Sequence, residues 1–126
     1  MKGLNLCVLP GRLAICRLAP DAPVPERPAG AEFWSVTRTS DELSIVLPEE
    51  HVPAGGEAET GWRCLKVKGP LDFGLTGILA SLATPLAKAG VSIFALSTYD
   101  TDYVLVKDSD LEEAKRALSA GGHRVG

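Results

Sequence analysis

Hydrophobic positions in the second half of the chain change period cleanly from one segment to the next. Trp62–Lys68 alternates, with Leu65 and Val67 on one face and Trp62 and Cys64 on the other, which predicts a strand. After the turn Gly69–Gly74, Leu75, Ile78, Leu79, Leu82 and Leu86 recur at helical spacing and form one apolar stripe that Gly90 ends. Pro85 lies inside that stripe and is expected to kink the helix or delay part of it. Ser92–Leu96 and Tyr103–Val106 read as strands joined by a tight turn. Ser109 and Glu112 have capping-box spacing, followed by Leu111, Ala114 and Leu118 on one helix face and a stop at Gly121-Gly122. His123-Arg124-Val125 is expected to add a short edge strand.

The first half is less regular. Leu4–Leu9 and Arg12–Leu18 are apolar runs split by Pro10-Gly11, the pattern of a hairpin. Residues 21–30 carry Pro23, Pro25 and Pro28, with Pro20 just before, and read as a loop. Phe33–Arg38 and Leu43–Leu47 predict a second strand pair, and Glu49–Val52 a short helix. Pro53–Glu59 lacks apolar periodicity and reads as a linker, dividing the chain into modules 1–58 and 59–126. The second module has the order βαββαβ. That is the α+β, ferredoxin-like plan, with two helices on one face of a mostly antiparallel sheet. Ile93–Leu96 and Tyr103–Val106 are apolar on both faces, so the face away from the helices also needs a cover, from the first half or from a second copy.

Composition narrows the function classes. Thirteen basic residues against sixteen acidic ones, scattered along the chain, do not form the basic stripe of a nucleic-acid surface. Seven aromatic residues are too few and too dispersed for a base-stacking platform. No segment is long and apolar enough to predict a membrane span, and no signal peptide is read near Lys2, so a cytoplasmic location is expected. Cys7, Cys16 and Cys64 are odd in number and without C-x-x-C spacing, so neither disulfides nor zinc are signalled. Asp100 and Asp102 lack the other ligands of a calcium loop, and Gly69, Gly74 and Gly77 match neither the dinucleotide nor the P-loop pattern. No metal site, cofactor or catalytic set is expected, and His51 and His123 read as exposed.

Two turns carry the candidate chemistry. Gly69–Gly74 opens the predicted helix, where unsatisfied backbone N–H groups favour an anion and Gly74 allows close approach. Read structurally, Asp72 merely caps that helix and Gly74 permits tight packing. Ser97–Asp102 joins two strands and offers hydroxyls and carboxylates to a cation. Asp100 reads as an ordinary turn residue, whereas Asp102 begins an apolar strand, where an unpaired carboxylate is costly. A ligand with both charges, such as a free amino acid, suits the pair.

The stretch from Gly61 to Asp110 resembles the ACT-domain family, above all the modules of the cytosolic arginine sensors (CASTOR proteins) and of small bacterial amino-acid-binding proteins with two such modules. The match is most specific over Ile93–Val106, and Phe33–Arg38 with Leu43–Leu47 resembles the reduced first module of those proteins. The resemblance implies a non-catalytic regulatory sensor that binds a free amino acid or related metabolite at a module or subunit interface. It implies ligand contacts from Leu71, Asp72, Phe73, Gly74, Leu75 and Thr76, and from Ser97, Thr98, Tyr99, Thr101 and Asp102. It also implies a homodimer and a regulated partner protein. A ligand-free dimerisation module and a regulatory subunit of an amino-acid-metabolism enzyme are the alternatives.

Overall fold

The computed structural model describes residues 3–72 and 74–126. In chain order its elements are β1 (Asn5–Val8), β2 (Leu13–Leu18), β3 (Ser35–Arg38), β4 (Leu43–Pro48), β5 (Glu57–Val67), α1 (Ile78–Lys88), β6 (Phe94–Ser97), β7 (Asp102–Lys107), α2 (Leu111–Ala120) and β8 (Arg124–Val125). Short 3-10 turns occupy Glu49–His51 and Asp108–Asp110. The chain divides into two compact units, one of Gly11–Trp62 and one of the residues up to Pro10 together with Arg63–Gly126.

In the Gly11–Trp62 unit, β4 pairs antiparallel with both β3 and β2, and β2 pairs antiparallel with Glu57–Trp62 of β5. Every second residue of β4 (Leu43, Ile45 and Leu47) joins Ala14 and Cys16 in a small buried core. Burial pushes the Cys16 thiol above its ordinary pKa, consistent with an inert apolar side chain.

The second unit carries the βαββαβ pattern with one addition. β6 pairs antiparallel with β7, β7 pairs with β5, β5 pairs antiparallel with β1, and β8 lies parallel to β1. Leu65, Val67, Val104 and Val106 pack with Leu82 and Leu86 of α1 and with Leu111, Ala114 and Leu118 of α2. Leu105, on the opposite face of β7, is also fully buried, so this strand is covered on both faces, whereas Phe94 and Leu96 of β6 are half-buried.

Several expectations are corrected here. The Leu4–Leu9 and Arg12–Leu18 runs are not a hairpin: β1 pairs with Leu65–Val67, and β2 with Glu57–Trp62. One long strand pairs with both runs, and residues 3–10 therefore belong with the second unit. The expected linker ends early, because Glu57-Ala58-Glu59 is already strand, paired with Arg17, Cys16 and Ile15. The 58/59 division accordingly falls inside β5, and the contacts divide at Trp62/Arg63 instead. No side-chain cap bond closes α2, whose N-cap is Asp110; the 3-10 turn Asp108–Asp110 stands where the Ser109–Glu112 capping box was expected.

Pro85 does not end or delay α1, which runs on to Lys88. In an uninterrupted helix the Ser81 carbonyl would accept the N–H of residue 85, which proline lacks. His123 supplies the missing donor, its Nε2 lying 3.0 Å from the Ser81 oxygen. Its Nδ1 accepts the Leu4 N–H at 3.0 Å. Those two bonds require the neutral Nε2–H tautomer. His123 is 6% exposed, so the exposed position expected for it is corrected: the imidazole ties Leu4, just before β1, to α1.

Candidate functional site

The first candidate turn is not the opening turn of a helix. Gly77, with φ of +76°, is the N-cap of α1, and the first helical bond runs from Ser81 N–H to the Gly77 carbonyl. A side chain at that left-handed position would be strained, so the chain turns into the helix here rather than at Gly74. Leu71, Asp72, Gly74, Leu75 and Thr76 precede the helix rather than open it. Asp72 does not cap α1; its Oδ1 accepts the Gly74 N–H at 2.8 Å, while its carbonyl accepts the Leu75 N–H at 3.0 Å. The N–H groups of Ile78, Leu79 and Ala80 precede the first helical bond, so the partial positive charge of α1 is concentrated there.

The second candidate turn closes the β6–β7 hairpin. Ser97 and Asp102 are directly opposed, and the Ser97 hydroxyl donates to Asp102 Oδ1 at 2.6 Å. The other oxygen, Oδ2, makes no hydrogen bond among the described residues. Thr98 N–H donates to the Thr101 carbonyl at 2.9 Å, tightening the loop. Thr101 is 3% exposed and its hydroxyl donates to the Val67 carbonyl at 2.6 Å, so its side chain pins the turn to β5.

The two turns meet. Leu71 N–H donates to the Asp100 carbonyl at 2.6 Å, and Gly69 packs so tightly here that a Cβ would lie 3.0 Å from the same carbonyl. Around that junction is a cavity of about 210 Å³ lined by Leu71, Asp72, Leu75, Ile78 and the whole run Ser97–Asp102. Of the expected site residues, Leu71, Asp72, Leu75, Ser97, Thr98, Tyr99, Thr101 and Asp102 line it. Gly74 and Thr76 do not, since the later helix start turns them to solvent, and Phe73 lies outside the described residues. Ile78, part of the apolar stripe, and Asp100, an ordinary turn residue by sequence, line it as well. Ile78 is indeed 8% exposed, but as the first residue after Gly77 it also borders the cavity.

The electrostatics are one-sided. Asp72, Asp100 and Asp102 line the cavity and no Lys, Arg or His does among the described residues. Two apolar lining residues are exposed, Leu75 at 50% and Tyr99 at 80%. No group of three or more metal-ligating side chains occurs among the described residues, and none of their helices is long and apolar enough to cross a membrane.

Comparison with known proteins identifies the surroundings of this site. A family model described as the ACT domain matches residues 57–120, and a second, described as an N-terminal domain, matches residues 11–55. A solved structure from Agrobacterium tumefaciens superposes with a TM-score of 0.92 at 38% identity, covering 100% of this chain and 94% of that one. The bovine cytosolic arginine sensor for mTORC1 subunit 1 is 34% identical over 104 residues, 74% of this chain but 32% of the sensor. The chain thus spans less than two thirds of the length of the curated relatives it matches. The regulatory subunit of aspartate kinase from Thermus flavus shares the fold, with a TM-score of 0.65 at 12% identity over 95% of this chain and 99% of that one. By the span of its family match, this chain belongs to the ACT domain family.

Proposed function

We propose that this protein is a non-catalytic, cytoplasmic regulatory sensor that binds a free amino acid or closely related metabolite in the cavity between Leu71, Asp72, Leu75 and Ile78 on one side and the 97–102 turn on the other. The observation that carries the reading is the convergence of those two turns on one cavity through the Leu71–Asp100 backbone bond. A volume of about 210 Å³ is below that of drug-sized sites, which run to roughly 300–1,000 Å³, and suits a small metabolite. The ligand carboxylate faces the N–H groups at the start of α1, as an anion at a helix N-terminus does. The ammonium is received by Asp102, whose Oδ1 is oriented by Ser97 and whose Oδ2 remains to accept. Three lining carboxylates without a lining cation disfavour acidic amino acids. The likeness to an arginine sensor makes arginine the first compound to test.

The exposed apolar lining of Leu75 and Tyr99 supports a subunit contact beside the cavity, and a ligand-free dimerisation module is the second reading. We assign the N-terminal half, expected over residues 1–58, to a reduced module of the same family. Ligand changes signalling only if it binds two arrangements of the protein with different affinity, which a regulated partner protein would then read.

Calorimetric titration with the twenty amino acids, on the wild type and on Asp102→Ala, tests the site. The expected result is a saturable response to a neutral or basic amino acid that disappears in the variant. Silence across the panel from folded, ligand-free protein, or binding indifferent to Asp102→Ala, rejects this site.

A further inference from the structure

Of the two buried polar side chains among the described residues, Thr101 and His123, only the imidazole is of a type that changes charge between about pH 5 and 8. It sits where three segments meet. Its own backbone leaves α2 through the Gly121-Gly122 turn, and its N–H donates to the Leu118 carbonyl at 3.0 Å. The ring reaches the Ser81 carbonyl of α1 on one side and the Leu4 N–H on the other. The chain just before β1 is fitted to this point. A Cβ on Gly3 would overlap the Gly122 carbonyl oxygen, and the Leu4 carbonyl accepts the Arg124 N–H at 2.8 Å. Leu4 is thus held through its carbonyl by β8 and through its N–H by the imidazole.

A proton affects the two ring bonds differently. Nε2 donates both in the neutral tautomer and in the imidazolium, so the Ser81 bond survives protonation. Nδ1 accepts only in the neutral ring. A proton taken from solvent by Nδ1 turns that acceptor into a second donor facing the Leu4 N–H, and the Leu4 bond breaks. The surroundings offer no free carboxylate in compensation. In the groove between α1 and α2 that the ring borders, the charged residues are Lys88, Glu113 and Arg116, and Glu113 is paired with Arg116 at 2.6 Å. On the other side Arg124 borders the opening beside Gly3, Leu4 and Asn5, with no acidic residue among its described lining. β1 itself, Asn5-Leu6-Cys7-Val8, carries no charged side chain.

We propose that His123 is a proton-released latch: the neutral ring clasps Leu4 to α1, and the charged ring stays on Ser81 and lets Leu4 go, while the β1–β5 ladder holds. The sign follows from proton counting. With the Leu4 bond made, Nδ1 has no room for a proton; with it open, the ring takes one up as a free imidazole does, at about pH 6.5 and below. The open state therefore binds one proton more than the closed state. The latch is closed at higher pH, and its opening constant rises about tenfold per pH unit below about pH 6. This device is independent of whether the cavity binds an amino acid.

Native-state hydrogen exchange on the full chain, between about pH 5 and 8, tests it with two amides as reporters. One is Leu4. The other is Lys68, whose N–H donates to the Asn5 carbonyl at 2.8 Å, in the β1–β5 ladder one residue beyond the latch. After correction for intrinsic exchange, Leu4 protection is expected to fall about tenfold from about pH 6 to about pH 5, with Lys68 protection level. His123→Asn puts a carboxamide oxygen near the Nδ1 position and cannot titrate, so its Leu4 protection should be flat with pH. Nitrogen-15 spectra of the wild-type ring should show Nδ1 bare at about pH 8 and gaining its hydrogen over the range where Leu4 protection falls. If the variant does not fold, that titration decides in its place. Flat Leu4 protection in the wild type overturns the proposal. So does a fall shared equally by Lys68, which is global acid unfolding, an Nδ1 already protonated at about pH 8, or the same fall in His123→Asn.

Discussion

His123→Ala is the most informative single perturbation of the scaffold. It removes the donor to the Ser81 carbonyl and the acceptor for the Leu4 N–H, two backbone groups that bond to this ring. Leaving a buried backbone group unpaired costs about 1–3 kcal/mol, so the pair together with lost packing should cost about 3–5 kcal/mol. That is a large share of the roughly 5–15 kcal/mol total stability of a domain. The stringent version is a double-mutant cycle with Pro85→Ala. An alanine at 85 restores the N–H that the Ser81 carbonyl would otherwise accept, so His123→Ala should then orphan only the Leu4 N–H. The coupling should be about 1–2 kcal/mol, read from urea unfolding of the four variants followed by helical circular dichroism. Additivity within about 0.5 kcal/mol would refute the idea that the imidazole substitutes for the missing proline N–H.

Three further expectations concern the strands and the site. Burial, with a smaller contribution from nearby Cys7 and partly offset by Lys66, raises the Cys64 thiol from an ordinary 9.0 to about 12. Its native state therefore binds a proton that the unfolded state releases. Its contribution is complete below about pH 9 and declines as the pH rises to about 12, by about 4 kcal/mol. Urea unfolding at pH 8 and above pH 10, compared with Cys64→Ala, should show the alkaline loss shrinking in the variant; an equal loss in both would assign it elsewhere. Thr101→Val should cost about 1–2 kcal/mol by orphaning the Val67 carbonyl, whereas Thr101→Ser keeps the 2.6 Å bond and should lose less, as thermal melts can decide. Gly69→Ala drives a Cβ to 3.0 Å from the Asp100 carbonyl and 3.1 Å from Thr101 Cβ. It should cost about 1–3 kcal/mol and weaken amino-acid binding, measured by melting and titration together; unchanged stability and affinity would mean that the turns join less tightly.

What was legible in the chain was whatever depended on local periodicity. The alternation of Trp62–Lys68, the stripe Leu111, Ala114 and Leu118, and the final strand Arg124–Val125 all reappear in the fold. What was not legible depended on partners distant in sequence. Nothing local in Leu4–Leu9 distinguishes a strand that pairs with Arg12–Leu18 from one that pairs with Leu65–Val67. Likewise, Glu57–Glu59 carries no apolar signature because its strand character comes from pairing with Ile15–Arg17 rather than from burial, all three being exposed. His123 is the same case in a single side chain, since its two partners are 42 and 119 residues away.

The helix boundary is the misreading with the most consequence for the site. Five apolar positions, Leu75, Ile78, Leu79, Leu82 and Leu86, fit one stripe if the helix begins before Leu75. Beginning at Ile78, α1 buries only Ile78, Leu82 and Leu86, a strict four-residue repeat. Of the two left over, Leu75 lines the cavity half-exposed, and Leu79 is exposed at the next residue after Ile78. Their exposure is not explained by the core of the unit, which is already closed beneath them. An apolar surplus beyond what one helix face can bury therefore marks where a ligand or another surface must supply the cover. In this chain it marks the same end of α1 whose first N–H groups precede the helical bonds.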